Sequence, residues 1–167
     1  MNPYLSVLVG EIQNRARIYV HIYKELSKEV GGEKATEILK RAIYARGREK
    51  GAQLASRIKI PNLRELALAF VEGKGEMDAF GHEVVQENPD YIILRLNRCP
   101  LVDAWKEAGL SFEERKKMCD IANQVDFGKF EGAGYTLTFN CLKAGDSESC
   151  DMKIAIRDQP RMVREST

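Results

Sequence analysis

Apolar residues recur at helical spacing through the first 73 residues. Leu5, Leu8, Ile12, Tyr19, Ile22, Tyr23 and Leu26 lie three, four or seven apart, with Arg15, Arg17, Lys24 and Glu25 between them. Asn2 suits a helix cap and Pro3 the first helical position; Gly31-Gly32 closes the helix. A second helix from Glu33 carries Ala35, Ile38, Leu39, Ala42, Ile43, Leu54, Ala55 and Ile58, and Ile60-Pro61 ends it. Within it Gly47 and Gly51 are spaced i,i+4, which lets another backbone come close and offsets the cost of roughly 1 kcal/mol that glycine carries inside a helix. Leu63, Leu66, Ala67 and Phe70 predict a third, short helix over 61–71, and Gly73-Lys74-Gly75 reads as a hinge.

From Met77 the period changes. Residues 80–86 and 91–96 read as strands joined by the turn Glu87-Asn88-Pro89-Asp90. Pro100 opens a helix that holds Trp105 in the core and ends at Gly109. Ser111 and Glu114 form a capping box for another, running to about Gln124. Gly128, Gly132 and Gly134 read as a loop. Alternation over 135–142 and 150–156 predicts a hairpin around Ala144-Gly145-Asp146-Ser147, and the polar residues 158–167 form a tail. The expected fold class is α+β: N-terminal helices packed on a small, mainly antiparallel sheet of about four strands, interrupted by two helices. One domain is expected, with a helical layer over 1–73 and a sheet-containing part over 77–157.

Composition narrows the function. The 167 residues are 44% hydrophobic and 31% charged, which is ordinary for a soluble fold. A net charge of +1 gives no pull toward nucleic acid or anionic lipid. The basic stretch Arg41, Arg46, Arg48 and Lys50 is interleaved by Tyr44 alone and reads as a solvated face. No apolar run nears the ~20 residues of a membrane span, and no signal-peptide pattern opens the chain. The expected location is cytoplasmic, where thiols stay reduced.

The four cysteines thereby gain weight. Cys99, Cys119, Cys141 and Cys150 all fall in the second half. In a reduced compartment they are buried small hydrophobes, metal ligands or a reactive thiol. Cys99 precedes a helix and follows Arg98, a setting that favours the thiolate. Cys141 and Cys150 flank a predicted turn, where both sulfurs could reach one ion. Zinc is the metal expected first, with iron or an iron–sulfur centre as alternatives. His82 and Asp126 are candidate general bases or completing ligands, and Glu83 a further ligand. Arg95 and Arg98 are candidate grips for a substrate carboxylate. No P-loop, GxGxxG, HExxH or GxSxG motif is present.

The segment Arg98-Cys99-Pro100-Leu101-Val102-Asp103-Ala104-Trp105, then Cys119, Asp126-Phe127-Gly128, Gly145-Asp146 and Cys150-Asp151-Met152-Lys153-Ile154, resembles the L-2-amino-thiazoline-4-carboxylic acid hydrolase family. The likeness covers roughly residues 77–157. It implies an enzyme that opens a cyclic thiazoline amino acid with water, giving N-carbamoyl-cysteine. A cysteine-bound zinc would lower the pKa of that water and accept the departing sulfur. A weaker resemblance links the hairpin Cys141–Cys150 to ligand-binding domains of the 4-vinyl reductase type, which include zinc-containing sensors. There the cysteine spacing is one residue shorter, and a carboxylate stands where this chain has Thr138. That alternative implies a non-catalytic small-molecule sensor with a structural zinc. Cys99, Cys119 and Cys150 remain the core ligand set. A small-molecule partner is expected on either reading, with no nucleic acid and no membrane, and the long first helix could support a homodimer.

Overall fold

The computed structural model describes residues 3–57, 62–71, 76–139 and 149–157. Two long helices come first, α1 (Pro3–Val30) and α2 (Gly32–Ala55), separated by Gly31 at φ 81°. Two shorter helices follow, α3 (Leu63–Val71) and α4 (Glu76–Phe80). The hairpin β1 (His82–Glu87) and β2 (Tyr91–Leu96) leads into helices α5 (Pro100–Glu107), α6 (Phe112–Ala122) and α7 (Gln124–Gly132). Strands β3 (Tyr135–Phe139) and β4 (Cys150–Ile156) complete a four-stranded sheet of order β1-β2-β4-β3, antiparallel throughout. The α+β reading holds.

The sheet's two faces differ sharply. Ile92, Leu94, Met152 and Ile154 are buried and pack with Tyr135 and Leu137 against Leu63, Leu66 and Ala67 of α3 and Phe130 of α7. Alternate positions carry Arg95, Asp151, Lys153 and Tyr91 on the other face. A second core lies among the helices: Ala16 and Val20 of α1, Leu39 and Ile43 of α2, Val102 and Trp105 of α5, and Met118 and Ile121 of α6. Trp105 is buried, and its indole Nε1–H donates to the Ala16 carbonyl at 3.0 Å, tying α5 to α1.

One departure from the sequence reading shapes the whole molecule. Gly128 and Gly132 lie within helix α7, not a loop, and face Gly47 and Gly51 of α2. A Cβ built on Gly47 would sit 3.0 Å from the Gly128 Cα and inside van der Waals contact of the Val125 carbonyl. A Cβ on Gly51 would sit 2.8 Å from the Gly132 Cα. Four glycines thus let two helix backbones touch, which explains residues that are costly in helices by propensity alone. Beside this seam, the Tyr44 hydroxyl donates to the Glu131 carboxylate. Gly134 follows at φ 85° and turns the chain from α7 into β3.

The predicted capping box is present: Ser111 Oγ accepts from the Glu114 N–H, and Glu114 Oε2 accepts from the Ser111 N–H at 2.8 Å. The first strand begins later than expected, because residues 76–80 form α4 and Gly81 at φ 59° makes the corner. The second helix ends at Ala55, with Ser56 as its cap, earlier than the end expected at Ile60-Pro61. The predicted cap at Asn2, the hinge at 73–75, the turn at 144–147 and the tail lie outside the described residues.

Candidate functional site

Cys99 is the residue before α5, with Pro100 at the first helical position. Its sulfur is largely buried against the helical core. Burial pushes the Cys99 thiol pKa up, against the opposing pull of the Val102 and Leu101 backbone N–H groups; the charges of Asp103 and Asp126 add to the rise. The helix-start effect anticipated from sequence is therefore real but outweighed by desolvation. Arg98 does not help, because its guanidinium donates to the Ala79 carbonyl (2.8 Å) and the Asp78 carbonyl at the end of α4. Cys99 is a neutral thiol at physiological pH, not the activated thiolate its sequence context suggests.

Cys119 lies late in α6 and packs against the same core. Its thiol is pushed up to about 12, first by burial and then by the neighbouring Cys99. The two cysteines are thus close enough to oppose each other's ionisation. Asp126, in the first turn of α7, is half-buried and acts on Cys99 electrostatically. The chain between them turns through Asn123, whose carbonyl accepts from the Asp126 and Phe127 N–H groups. Asn123 stands one helical turn beyond Cys119, hence on the same face. Its side-chain Nδ2 is buried and has no acceptor among the described protein atoms. A buried amide donor without a partner is uncommon and marks a place where a ligand atom would be stabilised. No sequence signal singled out Asn123 beyond its spacing from Cys119.

The remaining predicted residues sort by sheet face. His82, Leu96 and Cys150 occupy one row across β1, β2 and β4, since His82 pairs with Leu96 and Leu96 with Cys150. That row shares the helix-covered face with Leu94 and Met152, at the end of β2 that leads to Cys99. His82 also stacks at a tilt on Phe80, centroids 5.9 Å apart. Arg95 is on the opposite face, where it grips Asp151 through two hydrogen bonds of 2.8 and 2.9 Å. This partner holds the Asp151 carboxyl below its usual range. Glu83 is exposed and pairs in register with Arg95. The structure therefore sets Cys99 within electrostatic reach of both Cys119 and Asp126, places His82 and Cys150 at the adjoining end of the sheet, and commits Arg95 and Arg98 to internal partners. Cys141 lies outside the described residues.

Among the described residues, no three His, Cys, Asp or Glu side chains converge as a metal-ligand group. Two thiols without a third ligand beside them do not by themselves make up the three or four protein ligands that zinc takes. Nor is any described helix long and apolar enough to cross a membrane.

These elements define an α+β protein with helices packed on one face of a four-stranded antiparallel sheet. The family model for L-2-amino-thiazoline-4-carboxylic acid hydrolase matches residues 11–147, and the chain belongs to that family. The match extends well into the helical N-terminal part, beyond the segment whose motifs carried the resemblance. No curated protein matches the chain in sequence. Among solved structures, the chain is similar to a trafficking protein particle complex subunit 3 from Naegleria fowleri covalently bound to palmitic acid. The TM-score is 0.57 at 13% identity, over 89% of this chain and 96% of that one. At that identity the likeness is one of fold.

Proposed function

We propose that this protein is a hydrolase that opens a small thiazoline-type ring at the junction of α5, α6 and α7. Membership of the family supports the reaction class. The observation that carries the location is the gathering of two neutral thiols, a carboxylate and an unpartnered buried amide at one helix junction. In the proposed reaction, Asp126 takes a proton from water as its oxygen bonds to the ring carbon between nitrogen and sulfur. On attack the ring carbon–nitrogen double bond yields its electron pair to the ring nitrogen, which takes the added hydroxyl's remaining proton as the carbonyl forms. The carbon–sulfur bond breaks, the nitrogen stays attached as part of the new carbamoyl group, and the sulfur leaves with the proton returned by Asp126. Asn123 Nδ2 donates to the polar atom that gains charge during attack. The Cys99 and Cys119 thiols, held protonated by burial, present S–H groups and soft sulfur to the departing sulfur.

Release of a free thiol from L-2-amino-thiazoline-4-carboxylate tests the reading. The wild type should generate thiol stoichiometrically with ring loss. Asp126→Asn should lower kcat by about 100-fold or more, the usual range for a general base. A folded wild type with no thiol release would refute the hydrolase. Zinc at Cys99 and Cys119 would need further ligands from residues outside the described set, and elemental analysis of anaerobically purified protein tests that separately.

A second reading rests on the palmitate-bound structural neighbour. Here the same fold holds an apolar molecule without turnover. Intact-mass and solvent-extraction measurements on freshly purified protein distinguish it: an acyl adduct or co-purifying apolar compound, with no ring hydrolysis, supports this reading over the first.

A further inference from the structure

Helix α1 is 28 residues long, yet its buried positions Ile12, Ala16 and Val20 account for only one of its faces. Another carries large apolar side chains in solvent: Tyr4 is 85% exposed, Val7 67%, Ile18 47% and Ile22 45%. At 100° per residue these four fall, with Glu11 and Arg15, in one stripe roughly 80° wide and about 27 Å long. Isolated exposed apolar residues need no explanation, but two exposed apolar pairs aligned on one face of a helix, with a charged pair between them, do.

The order of residues along the stripe indicates what covers it. Apolar pairs lie at both ends, and one acid and one base, Glu11 and Arg15, lie at the middle. Such a pattern is self-complementary under a two-fold axis. With two copies of α1 antiparallel and centred near position 13, Tyr4 faces the second copy's Ile22, Val7 faces its Ile18, and Glu11 faces its Arg15. Each contact occurs twice, as an isologous interface requires. A parallel arrangement would instead bring Glu11 toward Glu11 and Arg15 toward Arg15.

We infer that the protein forms a two-fold homodimer through the Tyr4–Ile22 stripe of α1, in this antiparallel register. The apolar ends supply the attraction, while the central charge pairs select register and orientation. The stripe is separate from the α5–α6–α7 junction, so the dimer stands or falls independently of the hydrolase reading.

Sedimentation velocity from about 1 to 100 µM, the range in which micromolar association is visible, is the test. The wild type should pass from monomer to dimer. Val7→Asp and Ile18→Asp, both at exposed positions, should leave a folded monomer by circular dichroism. Arg15→Glu and Glu11→Arg should each weaken association about tenfold or more by placing like charges opposite each other. The double variant Glu11→Arg/Arg15→Glu should restore it, and mixing the two single variants should give a heterodimer. A wild type that stays monomeric would overturn the inference, as would a dimer that ignores the Val7 and Ile18 substitutions. Failure of the charge swap to restore association would overturn the register.

Discussion

The two cores of this molecule are built to different rules. On the sheet side, Ile92, Leu94, Met152, Ile154, Phe130 and Tyr135 fill the interior with large apolar side chains. The one polar tip among them, the Tyr135 hydroxyl, lies at 3.1 Å from the Asn62 N–H and accepts its hydrogen bond. On the helical side, the interior includes two thiols, and at its margin lie an unpartnered amide and a half-buried carboxylate. Hydrophobic burial stabilises both halves and pushes up the Tyr135 phenol on the sheet side as it does the two thiols on the helical side. Among the described residues, however, it is the second half that sets two such groups beside each other, Cys99 and Cys119. The glycine seam between α2 and α7 joins the two, with Val125 reaching the helical core and Phe127 the sheet core from the first turn of α7.

Breaking that seam should have the largest effect. Gly128→Ala would thrust a methyl into the Tyr44 carbonyl and to 2.9 Å from the Arg48 nitrogen, both backbone atoms that cannot rotate aside. A loss of about 3 kcal/mol or more in urea unfolding is expected, at the upper end for overpacking. Of comparable size is Trp105→Ala, which removes the largest side chain of the helical core and its bond to Ala16, for about 3–5 kcal/mol. Both should unfold the protein as one cooperative unit if the seam couples the halves. A calorimetric trace that splits into two transitions would contradict that coupling.

Alkaline pH tests the burial of a thiol in the helical half. The Cys119 thiol ionises near 9 when unfolded but is pushed up to about 12 when folded. The folded state therefore holds its proton longer, and the stability this contributes is complete below pH 9 and lost as pH rises toward 12. Cys119→Ala should flatten the loss of thermal stability across that window, and an unchanged slope would count against a buried neutral thiol. Smaller still is Ser111→Ala, which removes the α6 cap for about 1 kcal/mol. Arg95→Ala on the exposed sheet face should cost less than about 1 kcal/mol and leave turnover intact.

What the sequence made legible was local. Strands 91–96 and 150–156 and the Ser111–Glu114 box depend on alternation and on residues three apart, and all appear in the structure. Helix α7 was misread because glycine signals a loop by propensity, whereas Gly128 and Gly132 answer to a helix far away in sequence. The site shows the same division. Cys99 at a helix start is readable, but the direction of its pKa shift is set by burial against the helical core, which is assembled from distant parts of the chain. Arg95 and Arg98 looked available because Asp151 and the end of α4 are distant in the chain. Asn123 became visible only once its amide was seen to be buried without an acceptor.

Backbone amide shifts during titration with L-2-amino-thiazoline-4-carboxylate test the central claim, a ligand site on the helical side of the molecule, most directly. The account predicts that perturbations concentrate at Cys99, Leu101 and Val102 and from Cys119 to Asp126, with the exposed sheet face around Arg95, Asp151 and Lys153 unmoved. Saturable shifts confined to that sheet face, with the helix junction silent, would contradict it.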